Sequence, residues 1–184
     1  IKNTEWLDGL IFAASPKIDS SIENLIKVNF TSLTLIVNSA ITQMLAQQTG
    51  TVIYIGSSAV LNNPDNMVSY TASKVLGTHW MNQLDDKVRQ FDVRCKVLAP
   101  NFVSSNFSVQ YRTDLEALLP YEVAECAFKM LAPDGSAVVV KNVNREIHGT
   151  FGFSPISNTD ESTVAESSPN IEKSGGATQN VAVI

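Results

Sequence analysis

Residues 51–74 read TVIYIGSSAVLNNPDNMVSYTASK, and the fold follows from how this stretch divides. Thr51 to Gly56 are mostly β-branched or apolar and run into a Gly-Ser-Ser turn, the pattern of a buried strand that stops abruptly. Asn62, Asn63, Pro64 and Asp65 then mark a loop. From about Tyr70 to Arg89, Leu76, Trp80, Leu84 and Val88 recur at intervals of four and predict a helix. Strand, loop and helix in that order form one unit of an α/β protein.

Similar units lie on both sides. LDGLIFAAS (7–15) is a short apolar run entered through Asp8-Gly9 and predicts a buried strand. Ser20, Ser21 and Glu23 supply helix-start chemistry, and apolar spacing predicts a long helix over about 20–48, stopped by Gly50. Its apolar residues are too widespread for a one-sided surface helix, so much of it should be buried. VRCKVLA (93–99) is a further strand ended by Pro100, Pro120 opens a helix over 120–131, and AVVVKN (137–142) is the last predicted strand. Four strands alternating with helices predict a doubly wound parallel sheet, Rossmann-like, with helices on both faces. From Ser154 to Ile184 there is no aromatic residue and no leucine. The expected organisation is one domain over 1–153 and a disordered or loosely attached polar tail over 154–184.

Composition narrows the function. The chain has 184 residues, 44% hydrophobic and 17% charged, an ordinary globular balance. The net charge is −5 with scattered cations, which argues against nucleic acid, because phosphate neutralisation needs clustered ones. The longest apolar run, LTLIVNSAITQML, is interrupted by Asn38 and Ser39 and reads as a buried helix, so no membrane span is expected. Cys95 and Cys126 have no metal spacing and read as small buried hydrophobes in a reducing compartment. His79 and His148 have no Cys, Asp or Glu at ligand spacing, so no metal site is expected. With no signal-peptide pattern, the expected location is cytoplasmic.

In parallel sheets the site lies at the carboxyl ends of the strands. Here that rule points to Ala14-Ser15, Gly56-Ser57-Ser58 and Pro100-Asn101. Tyr70 and Lys74 stand four apart on a helix and so share a face. An ammonium beside a phenol favours the phenolate, lowering a reference pKa of ~10 toward working pH, as a general acid/base requires. Ser57, thirteen positions before Tyr70, ends a buried strand where its hydroxyl can donate to a carbonyl or alkoxide. Asn29, among Val28, Phe30 and Leu33, is polar within an apolar helix and needs a hydrogen-bonding reason.

The order of these segments resembles the short-chain dehydrogenase/reductase family. DGLIFAAS (8–15) is similar to its NNAG strand end, VNF (28–30) to the segment bearing its catalytic Asn, and TVIYIGSS (51–58) to its Ser strand. YTASK (70–74) is similar to its Tyr-Lys motif, VLAPNFVSS (97–105) to its Pro-Gly loop, and LPYEVAECAFKML (119–131) to the following helix. The resemblance implies a carbonyl–alcohol oxidoreductase using NAD or NADP on a small-molecule substrate. Tyr70 would donate or accept the proton, and Lys74 would lower its pKa and bind the nicotinamide ribose. Ser57 would polarise the carbonyl, and Asn29 would hold a water linking Lys74 to solvent. Ala13, Ala14, Pro100, Val103 and Ser105 would line the cofactor, the Val103 backbone meeting the carboxamide. The resemblance also implies a homo-oligomer paired through helices 20–48 and 70–90.

The sequence departs from that pattern in three places. Phe12-Ala13-Ala14-Ser15 lacks both Asn side chains of NNAG, and Asn101 stands where the loop has Gly. No GxxxGxG occurs in the 184 residues, and only six residues precede LDGL. The chain is therefore expected to be a truncated form, the catalytic half without its N-terminal strands and phosphate loop, inactive by itself. A non-enzymatic scaffold that has lost cofactor binding is the alternative; the Ser57–Tyr70–Lys74 spacing favours the enzyme. A halohydrin-dehalogenase relative is a third reading, against which Lys74 argues, because that chemistry uses Arg.

Overall fold

The structure, a computed structural model, describes residues 6–62, 64–105, 117–132, 140–142, 145–150 and 181–184. Strand β1 (Gly9–Phe12) leads to α1 (Ile22–Ile26), a π-helical segment (Lys27–Ser32) and α2 (Leu33–Gln47), one continuous helical run. β2 (Gly50–Ile55) is followed by the short α3 (Ala59–Asn62) and the long α4 (Val68–Val88). β3 (Val93–Pro100) and α5 (Pro120–Leu131) come next, then β4 (Val140–Asn142), β5 (Arg145–Thr150) and β6 (Val181–Val183). The helical run ends at Gln47 through Gln48 in the left-handed region (φ 56°), two residues before the glycine read as its stop; Gly50 already begins β2.

The sheet order is β4-β5-β3-β2-β1-β6. β3, β2, β1 and β6 are parallel neighbours, which gives the predicted four-strand parallel core. Its fourth strand differs from the one expected. Val140–Asn142 does not join β3; β5 pairs antiparallel with β3, and β4 antiparallel with β5. Two residues between β4 and β5 suffice for a hairpin, whereas a parallel crossover needs a dozen or more. The parallel slot is filled instead from the polar C-terminal segment. Most of 154–184 lies outside the described residues, but Val181–Val183 is a strand against Gly9–Ile11, so the end of that segment belongs to the sheet.

Alternation along the strands splits the core into two layers. Leu10, Phe12, Val52, Tyr54, Val93, Cys95 and Val97 face α2 and α4 and meet Leu33, Val37, Ala40, Met44 and Met81. Ile11, Ile53 and Leu98 face the other way and meet Val123, Ala127 and Met130 of α5. Both faces are covered, which explains the near-continuous burial of β1, β2 and β3.

Polar contacts pin the layers. The Asp85 carboxylate at the end of α4 receives Arg94 Nε and a terminal nitrogen of the same guanidinium at 3.1 and 3.2 Å and the Cys95 N–H at 2.7 Å, tying helix to strand. Lys96, fully buried in β3, donates to the Met130 and Ala132 carbonyls and so satisfies the C-terminal end of α5. Gln47 clamps the backbone of Leu7 through two hydrogen bonds of 2.9 Å, fixing the entry to β1.

The run Ile22–Gln47 has 26 residues and mean hydropathy 1.3 over its most apolar stretch, so by length and composition it is able to cross a membrane. Asn38 and Ser39 break the apolar run in sequence but not the helix. A third of that stretch is buried within the protein, where Leu33, Val37, Ala40, Ile41 and Met44 are the buried residues of α2.

Candidate active site

The carboxyl ends of β1, β2 and β3 and the first turns of α4 surround a cavity of about 450 Å³. Helix α4 delivers two side chains to it. The Tyr70 ring packs with Leu25 and Ala59 and is 8% exposed. Ser57 from the end of β2 and Ser15 from the turn after β1 line the same cavity; Ser57 Oγ accepts from the Ala59 N–H at 3.2 Å, and Ser15 Oγ donates to the Pro16 carbonyl at 3.4 Å. Lys74, one turn on and 2% exposed, donates to the Ile55 carbonyl at 3.1 Å. Its nitrogen lies 5.9 Å from the Tyr70 ring centre and 5.0 Å from that of Tyr54. Gly77 makes room for Tyr54: a Cβ there would stand 2.9 Å from its ring atoms and hydroxyl.

Asn29 sits in the π-helical segment, 0% exposed. Its Nδ2 donates to Ser73 Oγ at 2.9 Å, and Ser73 donates to the Tyr70 carbonyl at 2.7 Å. The hydrogen-bonding reason sought for this residue is therefore a link from the first long helix to α4. Its Oδ1 is buried with no partner among the described residues. Such an acceptor calls for a water or another donor.

Burial alters the electrostatics expected from the sequence. It pushes the Tyr70 phenol up, and the nearby Ser57 and Ser15 hydroxyls pull it back only in part. The phenol is therefore raised, not lowered. The same burial brings Lys74 down to about 7, so the ammonium meant to favour the phenolate is itself disfavoured.

Ala13, Pro100, Val103 and Ser105 all line the cavity, as do Ser57, Tyr70 and Lys74. Ala14 does not; it packs against the core under α2 and α4. Asn29 stands behind the cavity wall and not in it. The loop after β3 is held by Leu118: Ser104 N–H donates to its carbonyl at 2.7 Å, and its own N–H donates to Phe102 O at 2.8 Å. Asn101, in the glycine position of the family pattern, accepts from Ser58 Oγ at 3.3 Å, and Ser58 N–H donates to Pro100 O at 3.0 Å. These bonds join the turns after β2 and β3. Sequence reasoning gave Ser15 no role, although the strand-end rule reached it.

Residues 5–116, more than half of the chain, match the family profile of the short chain dehydrogenases. The chain belongs to that family. A curated relative of this short chain dehydrogenase is the very-long-chain 3-oxoacyl-CoA reductase of Mycosarcoma maydis, 25% identical over 120 residues. The match covers 65% of this chain and 34% of that protein, so the chain spans about a third of the relative's length. Among solved structures, a short chain dehydrogenase/reductase family protein superposes with a TM-score of 0.63 at 18% identity, over 68% of this chain and 60% of that one. A 7α-hydroxysteroid dehydrogenase complexed with NADH and 7-oxo glycochenodeoxycholic acid gives 0.60 at 19% identity, over 68% and 57%. Acetoin dehydrogenase from Enterobacter cloacae gives 0.57 at 18% identity, over 67% and 56%. These likenesses show a shared fold.

Proposed function

We propose that this chain carries the catalytic half of an NAD(P)-dependent oxidoreductase that interconverts a small-molecule carbonyl and its alcohol. The observation that carries the reading is Lys74. Burying an amine with one carbonyl partner costs stability, and packing does not require it there. Beside it stands the Tyr70 phenol, in a cavity that Ser57 also lines.

The residues present fit the nicotinamide-ribose end of a dinucleotide. Lys74 has three N–H donors, and the bond to Ile55 uses one of them. A bound nicotinamide supplies hydride to the substrate carbon, or accepts it in the reverse direction. The chain's own residues then handle the oxygen. Ser57 donates to the carbonyl oxygen and polarises it. Tyr70 gives its proton to that oxygen as the new C–H bond forms, and regains a proton from solvent by way of Lys74 and a water at Asn29 Oδ1. In the reverse direction Tyr70 takes the alcohol proton. Ile18, Met67 and Phe102 give the substrate side an apolar wall. The reading is tested by carbonyl-dependent oxidation of NADH or NADPH in a chain that also carries a Gly-rich phosphate loop, native or grafted ahead of residue 1. Absence of turnover over a broad panel of carbonyls in such a chain rejects it.

The 184 residues alone are expected not to hold the dinucleotide. They contain no Gly-rich turn whose backbone amides and helix N-terminus could take the pyrophosphate. Losing several charge-assisted hydrogen bonds at ~1.5–3 kcal/mol each moves a micromolar site out of reach. Calorimetric titration with NADH and NADPH should show no binding; a micromolar dissociation constant for either overturns this.

The same reading gives a homo-oligomer paired through the helices spanning 20–48 and 70–90. Leu35, Val68 and Leu76 project from these helices at 68%, 70% and 43% exposure. Light scattering of the intact protein at micromolar concentration should give more than a monomer mass, and a monomer mass refutes it.

A further inference from the structure

The Asn29 amide can face its partners two ways, because its oxygen accepts, its nitrogen donates, and the two arms are nearly equal in shape. Asn29 is fully buried in the π-helical segment and meets α4 through Ser73, which is fully buried as well. Ser73 decides between the two orientations. A serine has one O–H to give. Ser73 gives it to the Tyr70 carbonyl, one turn back in the same helix, at 2.7 Å. Toward Asn29 its oxygen then offers lone pairs alone, and Nδ2 donates to them at 2.9 Å. The reversed amide would set Oδ1 against Ser73 Oγ, acceptor to acceptor, and take Nδ2 away from that partner.

On the far arm, Oδ1 is held inside the protein as an acceptor with no donor among the described residues. A water held there gives one hydrogen to Oδ1 and keeps its lone pairs for a donor. An ammonium is such a donor, whereas a neutral amine is served better by a water that gives it a hydrogen. Lys74 follows Ser73 in the chain and has N–H donors beyond the one spent on the Ile55 carbonyl. We infer that Ser73 is a positioning residue: by accepting from Asn29 Nδ2 it locks the amide with Oδ1 toward the water that serves Lys74, and so sets the polarity of the proton relay in favour of the ammonium. The inference rests on the reading of Asn29 and Lys74 as that relay.

The other neighbours of Lys74 leave this role to the amide. Tyr54 of β2 and Tyr70 of α4 present their rings at 5.0 and 5.9 Å, and Ile55 presents a carbonyl. No carboxylate lines the cavity among the described residues. Burial already disfavours the ammonium, so the loss of one favourable neighbour moves its balance measurably.

The test uses the 184-residue chain. Nitrogen–proton NMR reads the Asn29 side-chain amide, with Asn29→Asp assigning its signal. Titration of carbon-labelled lysine reads Lys74, with Lys74→Met assigning it. Ser73→Ala should displace the Asn29 signal, speed its hydrogen exchange roughly tenfold or more, and lower the Lys74 midpoint by about half a pH unit or more. Ser73→Thr, which keeps the hydroxyl, should leave both near their original values. Ser73→Cys, close in size but a weak acceptor, should fall between, and it serves as the test where the alanine variant does not fold. In a longer chain with a complete dinucleotide site, the same downward shift should appear in the pH–rate profile with KM little changed. An Asn29 signal unmoved in Ser73→Ala and Ser73→Cys overturns the inference. A moved Asn29 signal with an unmoved Lys74 midpoint overturns it too, leaving Ser73 a structural contact. Both signals moved, in a protein that never turns over, uphold Ser73 and reject the proposed reaction instead.

Discussion

Tyr70→Phe, in a chain that includes a complete dinucleotide site, should lower kcat/KM for carbonyl reduction about 10²–10⁴-fold, the range for loss of a positioned general acid. Folding should change little, because the ring that packs with Leu25 and Ala59 is retained and only the hydroxyl is lost. Retention of most of the rate removes Tyr70 from the chemistry. Lys74→Met separates the neighbour's role from its cost. Its folded pKa of about 7 lies below the ordinary ~10.4, so between those values the unfolded chain binds a proton that the folded chain does not. Stability therefore rises with pH across that window and is lost as pH falls toward 7. Lys74→Met should flatten this slope while suppressing turnover. Denaturant titrations at several pH values read the first effect, and steady-state assays the second. A slope unchanged by the substitution places its origin elsewhere.

The parts of this molecule that the sequence reveals are those governed by local pattern. Strand ends and helix starts follow from β-branched runs, prolines and spacing, and α5 occupies the residues read for it, opening at Pro120. Tyr70 and Lys74 are legible because a spacing of four on a helix fixes a shared face wherever the helix packs. Asn29 is legible as a polar residue in an apolar run, but its π-helical backbone is not, because an extra residue in one turn leaves no mark on composition. Ser15 escapes notice for a different reason. It comes to the Tyr70 cavity only because the parallel pairing of β1 with β2 sets its strand end beside that of Ser57. Burial is also a property of the whole fold. The sequence suggests an ammonium that lowers a phenol's pKa, whereas the packed site raises the phenol and neutralises the amine. Lys96 is a buried cap on α5, a role no local pattern marks, since its face of β3 is decided by a helix some thirty residues later.

Removing residues 180–184 should have the largest effect on solution behaviour. A β1 with no neighbour beyond β2 would present a hydrophobic edge, and the valines of the C-terminal segment occupy that edge in parallel register, Gly9 to Val181 through Ile11 to Val183. Ile184 extends the ladder: its N–H donates to the Ile11 carbonyl at 2.9 Å, and its carbonyl accepts from the Ala13 N–H. Ala182 turns inward onto the core below α2 and α4, whereas Val183 remains exposed, so the strand covers the edge with one inward side chain and backbone bonds. A contact of that kind is worth about 2–4 kcal/mol from a few net hydrogen bonds and one small buried residue. Its loss would also expose Gly9, Leu10, Ile11 and Phe12 as a flat apolar edge, the template on which chains self-associate. The truncated chain should therefore unfold at lower denaturant, lose hydrogen-exchange protection at the Ala13 amide and form oligomers that grow with concentration. A synthetic peptide of residues 179–184, supplied in excess, should restore Ala13 protection by taking the vacant slot. A truncated chain that remains monomeric, with Ala13 exchanging as slowly as before, shows that β6 does not close the sheet. The Ala13 amide is the discriminating probe because its partner on this edge is Ile184, whereas the amide of Thr51 donates to Asp8 on the β2 side and should be less affected.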